Sequence, residues 1–218
     1  MALAIFDLDN TLINGDSDHA WGEYLCEKGI VDVELYRRAN DLFYQQYLDG
    51  NMDIQAFLAF ALKPLKDNSV AQLQLWHSEF MQQKIQPMMQ IKAQQKLQHH
   101  RQQGDFILII TATNLFVTAP IAAALQVDDI IATAPEMIDG EYTGQYSGTP
   151  CFQEGKIVRL KQWLEHNPHK LEGSYFYSDS RNDLPLLELV DHPIAVDADS
   201  HLAQVAKQKN WPHISFRD

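Results

Sequence analysis

The sequence predicts an α/β protein: a doubly wound parallel sheet with an all-helical segment inserted after its first strand. Three observations predict it. A short apolar run, Ala2 to Phe6, stands at the start and ends on acids. Residues from about Asp16 to Gln86 then carry helical periodicity with no strand-like run between. After Pro87, short apolar runs alternate with helical stretches, the pattern of parallel βαβ units.

The first strand is Leu3 to Phe6. Apolar stripes at Ala20, Trp21, Tyr24 and Leu25, then at Leu35, Ala39, Leu42, Phe43 and Tyr47, then at Ile54, Phe57, Leu58, Ala61 and Leu62, predict successive amphipathic helices. Gly29, Gly50-Asn51 and Pro64 punctuate them. A helix over 87–103 has Pro87 at its start and Gly104 just past its end. The run Phe106 to Ile110, ending at Thr111, suits a strand buried on both faces. A helix over 115–125 and a strand over 129–133 follow. Asp139-Gly140 marks a hairpin turn. A helix over 155–166, a strand over 174–178, a further helix, a strand over 193–196, a last helix and a strand over 214–216 complete the chain.

A chain of 218 residues buries one core, or one core and a small subdomain. A net charge of −12 argues against nucleic acid or an anionic membrane as the main partner. Cys26 and Cys151 lack the paired spacing of a zinc site and read as reduced thiols of a cytoplasmic protein. No run approaches the ~20 apolar residues of a membrane span. The N-terminus has no basic region and its apolar run is broken by Asp7, so no signal peptide is expected.

Strand alternation puts Asp7 and Asp9 on one face at the C-terminal edge of the sheet. Two carboxylates that close raise each other's pKa unless a cation or a proton intervenes. A solvated turn or a helix cap is the plainer explanation of a lone D-x-D. In an open parallel sheet, however, ligands bind beyond the C-terminal strand edge. That edge gathers Asp7 and Asp9, Thr111, and Ser178-Asp179, with segment 14–86 beside them as a lid.

Four motifs occur in order: Asp7-Leu8-Asp9-Asn10-Thr11, Thr111, Lys156 in Gln153-Glu154-Gly155-Lys156, and Asp179-Ser180-Arg181-Asn182-Asp183. In these, and along its whole length, the sequence resembles the haloacid-dehalogenase-type phosphohydrolases, in particular the phosphoserine-phosphatase-like branch (subfamily IB). The resemblance implies a Rossmann-like core from residues 1–13 and 87–218 and a C1-type helical cap from 14–86. It implies Asp7 as nucleophile, forming an aspartyl-phosphate, and Asp9 as general acid and base. It implies Mg²⁺ held by Asp7, the Asp9 backbone carbonyl and Asp179, with Asn182 and Asp183 supporting that loop. Thr111, the N–H of Ala112 and Lys156 would grip the phosphoryl oxygens. The physical need is plain: a phosphate monoester carries about two negative charges and repels a carboxylate unless a hard cation sits between.

Plainer roles exist for single residues. Thr111 could cap a helix, Lys156 could be a solvated helix lysine, and Asp183 could serve a helix dipole. Arg181 suits the surface or the entrance. His166 and His169 suit solvent, and Phe43, Tyr44 and Tyr47 suit the interior of the cap.

Phosphoserine phosphatases bind the substrate amine through an acid just after the first motif, where Asp16 stands with Asp18 nearby. Trp21 joins these as a substrate-binding candidate, although it suits the cap interior equally. The arginine pair that grips the substrate carboxylate aligns with Ala59 and Ala61. The expected substrate is therefore a small phosphorylated metabolite without a carboxylate, an amino-alcohol phosphate such as histidinol phosphate. Phosphoserine hydrolysis, phosphotransfer to another acceptor, and non-catalytic phosphate binding are the alternatives.

Overall fold

The structure, a computed structural model, describes residues 2–217. Its elements are β1 (Leu3–Phe6), α1 (Ser17–Glu27), α2 (Val33–Asp49), α3 (Ile54–Ala61), α4 (Lys63–Lys66), α5 (Val70–Phe80), a π-helical turn (Met81–Ile85), α6 (Gln86–Met88) and α7 (Ile91–Gln103). Then come β2 (Phe106–Asn114), α8 (Leu115–Leu125), β3 (Asp129–Ile138), β4 (Glu141–Ser147), α9 (Glu154–His166) and β5 (Tyr175–Ser178). A 3-10 turn (Arg181–Asp183), α10 (Leu184–Leu187), β6 (His192–Val196), α11 (Ser200–Lys209) and β7 (His213–Ile214) close the chain.

The strands form one sheet in the order β4-β3-β2-β1-β5-β6-β7. All pairs are parallel except β3–β4, a hairpin. Its turn residues Asp139 and Gly140 both have positive φ, 51° and 84°, as a two-residue hairpin turn requires. Strand order reverses at β1, which lies between β2 and β5. The crevice of a doubly wound sheet opens at such a reversal, beyond the C-terminal strand ends.

Both faces of the sheet are covered. On one, Ala4, Phe6, Ile107 and Ile109 pack with Trp21, Leu25, Leu97 and Ile121. On the other, Leu3, Ile5, Leu108 and Ile110 pack with Leu160, Leu186, Leu202 and Ala206. Continuous apolar strands follow from this, since every side chain meets a helix. The inserted helices have their own cluster, built on Phe57, Leu58, Leu62, Leu65 and Leu73. Among the described residues, no helix is long and apolar enough to cross a membrane.

One helix boundary differs from expectation. Pro87 lies in α6, the last turn of the inserted helices, and α7 starts at Ile91. Between them Met89 is extended, with φ −63° and ψ 131°. Tertiary pairing overrides the local signal here. Ile13 bridges to Met89, Asn14 N donates to the Met88 carbonyl at 2.8 Å, and Gln90 Nε2 donates to the Thr11 carbonyl at 3.0 Å. The two crossings between sheet and inserted helices thus run side by side. Strands β2 and β3 also run further than their apolar stretches suggest, to Asn114 and Ile138. The last strand comes slightly earlier, because the Phe216 N–H donates to Asp197 Oδ2 (2.9 Å) instead of to a neighbouring strand.

At the rim the inserted helices meet the core through polar contacts as well as through the packing of Tyr142, Tyr146 and Phe152 against the cap cluster. Asn182 Nδ2 donates to the Tyr47 carbonyl (2.9 Å), Gln153 Nε2 to the Gly50 carbonyl (3.5 Å), and Tyr146 Oη to Gln55 Oε1 (2.6 Å).

Leu160 is fully buried beneath the sheet, one helical turn beyond Lys156. Leu160→Ala should lower unfolding free energy by about 2–5 kcal/mol. Urea denaturation checks this, and a loss below about 1 kcal/mol would mean that the α9 packing contributes little.

Candidate active site

The turn after β1 is built by backbone bonding. The Leu8 carbonyl accepts from the N–H groups of Thr11, Leu12 and Ile13, and Asn10 N donates to the Gly15 carbonyl. Asn10 has φ 55°, a left-handed conformation that asparagine tolerates better than most residues. Asp7 extends the ladder past β1, its N–H donating to the Tyr177 carbonyl at 2.9 Å. Asp7 and Asp9 therefore reach one cavity from a turn that continues β1.

Asp7 is buried, and its Oδ1 accepts from Lys156 Nζ at 2.8 Å. Its Oδ2 is buried without a hydrogen-bond partner. Lys156 is also buried, and its Nζ lies 2.6 Å from Asp183 Oδ1. Burial works against the lysine's charge, but Asp183 and Asp7 outweigh it and hold its pKa above the ordinary value. The position of Lys156 depends on Gly155: a Cβ there would lie 2.0 Å from the Pro150 carbonyl oxygen. Asp183 is anchored in turn by Ser178 Oγ, which donates to its Oδ2 at 2.7 Å. Asn182 is held by Gln153 Nε2 at 3.0 Å.

Asp179 is tied to the first motif through Thr11. The Thr11 hydroxyl donates to Asp179 Oδ1 (3.1 Å) and accepts from the Asp179 N–H (3.0 Å). Asp9 Oδ1 accepts from the Ser17 N–H at 2.6 Å. Its Oδ2 accepts from Thr113 Oγ1 at 2.9 Å and from Thr111 Oγ1 at 3.3 Å.

Burial pushes the Asp7 carboxyl up to about 8 against the pull of Lys156, with Asp183 and Asp9 adding to the rise. Burial also raises Asp9, opposed by its bonds from Ser17, Thr113 and Thr111. Asp179 is held well above the carboxylate range by burial, then by Asp7 and Asp183. Acids gathered this way favour a bound cation or a retained proton.

The cavity above this floor is narrow, about 40 Å³. Asp7, Asp9, Thr111, Ala112 and Thr113 line its base. Asp16, Asp18, His19 and Asn40 line it from α1 and α2, and Phe43, Tyr44, Tyr47, Met52 and Phe57 from the inserted helices. Asp16 caps α1, accepting from the His19 N–H at 2.8 Å. Burial and then Asp9 push its carboxyl up to about 7. Asp18 stands well above the carboxylate range through burial, then Asp16 and Asp9.

One expectation about the cavity wall needs correction, and another is incomplete. Trp21 does not line the cavity: it is buried against Tyr24, His77, Phe80 and Phe116, because its place on α1 faces the helical interior. Phe43 and Tyr47 pack against the cap cluster as expected and also line the cavity, and Tyr44 joins them there. Ala59 is exposed and Ala61 buried in the cap cluster, so the α3 residue at the cavity is Phe57. Sequence reasoning placed Ser178 at the crevice edge without its bond to Asp183, and it gave Thr113 no role beside Asp9. Strand alternation from Thr111 offered the signal for Thr113.

A sequence profile of the haloacid dehalogenase-like hydrolases matches residues 4–188. The chain belongs to this family. It is a phosphatase, in keeping with a relative of known activity. That relative, a histidinol-phosphatase from Neisseria meningitidis, is 48% identical over 219 residues, covering 99% of each chain. A Bordetella pertussis Tohama I protein of unknown function has the same architecture, with a TM-score of 0.93, 43% identity and 99% coverage of both chains. A substrate-bound phosphoserine phosphatase shares the fold at a TM-score of 0.72 and 15% identity, over 99% of this chain and 93% of its own.

Asp16 has a pKa near 7 when folded, against 3.8 in its ordinary state. A raised carboxyl binds its proton more tightly when folded, so ionisation opposes folding. The penalty is absent below about pH 4, grows between the two values, and is complete above about pH 7. Asparagine keeps the helix cap without the charge. Asp16→Asn should raise the melting temperature at about pH 8 and leave it unchanged near pH 4. Equal shifts at both values in thermal melts would show that charge is not the cause.

Proposed function

We propose that the protein is a Mg²⁺-dependent phosphomonoesterase that works through an aspartyl-phosphate on Asp7 and acts on an amino-alcohol phosphate, first among them histidinol phosphate. One observation carries the reading. Asp7 presents a buried carboxylate oxygen with no hydrogen-bond partner, while its other oxygen is held by a buried lysine. A residue kept only for structure has no use for such an oxygen.

The same oxygen supports metal binding. Asp7 Oδ2, the Asp9 carbonyl and Asp179 make an all-oxygen donor set suited to a hard cation. Bound Mg²⁺ supplies the positive charge that lets an anionic nucleophile meet an anionic phosphate. Asp7 attacks phosphorus and the alkoxide leaves. Asp9, whose pKa burial raises, holds a proton for the leaving oxygen and later withdraws one from the hydrolytic water. Lys156, Thr111 and the Ala112 N–H stabilise the phosphoryl oxygens. Asn182 and Asp183 hold the loop that carries Asp179. Residues 14–86 serve as a cap over the core of 1–13 and 87–218, excluding water during transfer.

The cavity wall supports the substrate class. Asp16 and Asp18 favour a cationic leaving group, and among the described residues no arginine or lysine lines the cavity wall around them. A phosphoserine carboxylate would face two acids without the fork of a guanidinium. The Neisseria relative is a histidinol-phosphatase, whose substrate has an ammonium and no carboxylate.

Asp7→Asn should reduce kcat about a thousandfold or more on any phosphate ester. Undiminished turnover would overturn the mechanism. With Mg²⁺ present, kcat/KM for histidinol phosphate should exceed that for phosphoserine by about tenfold or more. Parity between the two in a steady-state assay would remove the case built on the missing guanidinium.

A further inference from the structure

The cap half of the cavity holds more recognition groups than a short amino alcohol needs. One carboxylate, Asp16, suffices for an ammonium. Asp18 is a second, about nine-tenths buried, and its side chain receives one long hydrogen bond, from Asn114 Nδ2 at 3.4 Å. A carboxylate so placed loses hydration without full compensation, and a ligand N–H would restore it.

Asn40 is the second unusual group. It is polar, 3% exposed and in the cavity wall. Its Nδ2 donates to the His19 carbonyl at 3.0 Å, which anchors the amide at the cavity wall. Its position is built in from below. A Cβ on Gly22 would lie 2.6 Å from the Asn40 amide, so α1 carries a mid-helix glycine where α2 approaches. Such a glycine costs about 1 kcal/mol of helix propensity.

The third feature is aromatic. Phe43 and Phe57 stand edge to face at 5.6 Å and 69°, and both line the cavity beside Tyr44. Aromatic faces next to a carboxylate suit a flat ring that carries N–H groups or positive charge.

We propose that Asp18 and Asn40, walled by Phe43, Tyr44 and Phe57, form a ring subsite that selects phosphate esters whose leaving alcohol carries a planar, N–H-bearing heterocycle beside its ammonium. This deepens the phosphatase reading and rests on it. Asp16 takes the ammonium, Asp18 accepts from the ring, and Asn40 fixes the ring's rotation. These residues set specificity and take no part in bond making.

The test compares histidinol phosphate with ethanolamine phosphate, which keeps the ammonium and lacks the ring, using the full chain with Mg²⁺. For Asp18→Asn and Asn40→Ala, KM for histidinol phosphate should rise about tenfold or more, with a much smaller change in kcat. The ratio of kcat/KM between the two substrates should fall by a similar factor. Tyr44→Leu, a more conservative change at a partly exposed position, should move the ratio in the same direction. Proportional losses on both substrates, or no change on either, would overturn the ring subsite while leaving the phosphatase reading intact. Failure of the unmodified chain to prefer histidinol phosphate over ethanolamine phosphate would instead sink the proposed substrate.

Discussion

The buried lysine between two buried carboxylates is the constraint on which the rest of the structure depends. Lys156 lies 2.8 Å from Asp7 and 2.6 Å from Asp183. These residues come from the turn after β1, the start of α9 and the turn after β5. Removing one member of such a group leaves an uncompensated charge, which typically costs about 3–5 kcal/mol. The three segments are therefore locked in mutual register. Neighbouring bonds serve the same lock: Thr11 ties the first turn to Asp179, and Ser178 ties the β5 strand end to Asp183.

Around that lock the molecule divides its labour. In the proposed mechanism the sheet edge carries the groups that any phosphate ester needs, and the inserted helices carry those that distinguish one alcohol from another. The division also accounts for the charge problem. With a net charge of −12 the protein repels anions at long range. Attraction for phosphate must be local; in the proposed mechanism it comes from a lysine shielded from water and from Mg²⁺ on the acids of the floor.

Much of this was readable from residues alone. Periodicity locates the strand ends and the first acid pair, whereas Lys156 and the second acid pair stood out only through the resemblance to the family's motifs. The order of elements followed from alternation between apolar runs and amphipathic stretches. What sequence could not supply was direction within the helical segment. Trp21 and Tyr44 both lie on amphipathic helices, and periodicity says that each faces something apolar. It does not say whether that is the helical interior or the cavity. The start of α7 was missed for a related reason: Pro87 and the helical pattern after it favoured one helix, but pairing with Ile13 and Asn14, far away in sequence, broke it. Alignment across the cap likewise pointed to Ala59 and Ala61 where the fold presents Phe57.

The narrowness of the cavity has a kinetic consequence. About 40 Å³ accommodates little more than water, while a small phosphorylated metabolite needs several times that space. A molecule of that size enters only if the cavity widens. The paired crossings near Ile13 and Met89 are placed to act as the hinge. At the opposite rim, the bonds from Asn182 to Tyr47, from Gln153 to Gly50 and from Tyr146 to Gln55 act as a clasp. Its groups are polar, so water can replace each partner as the clasp releases. Asn182 belongs both to this clasp and to the loop that carries Asp179, so release of the rim and the order of that loop are linked.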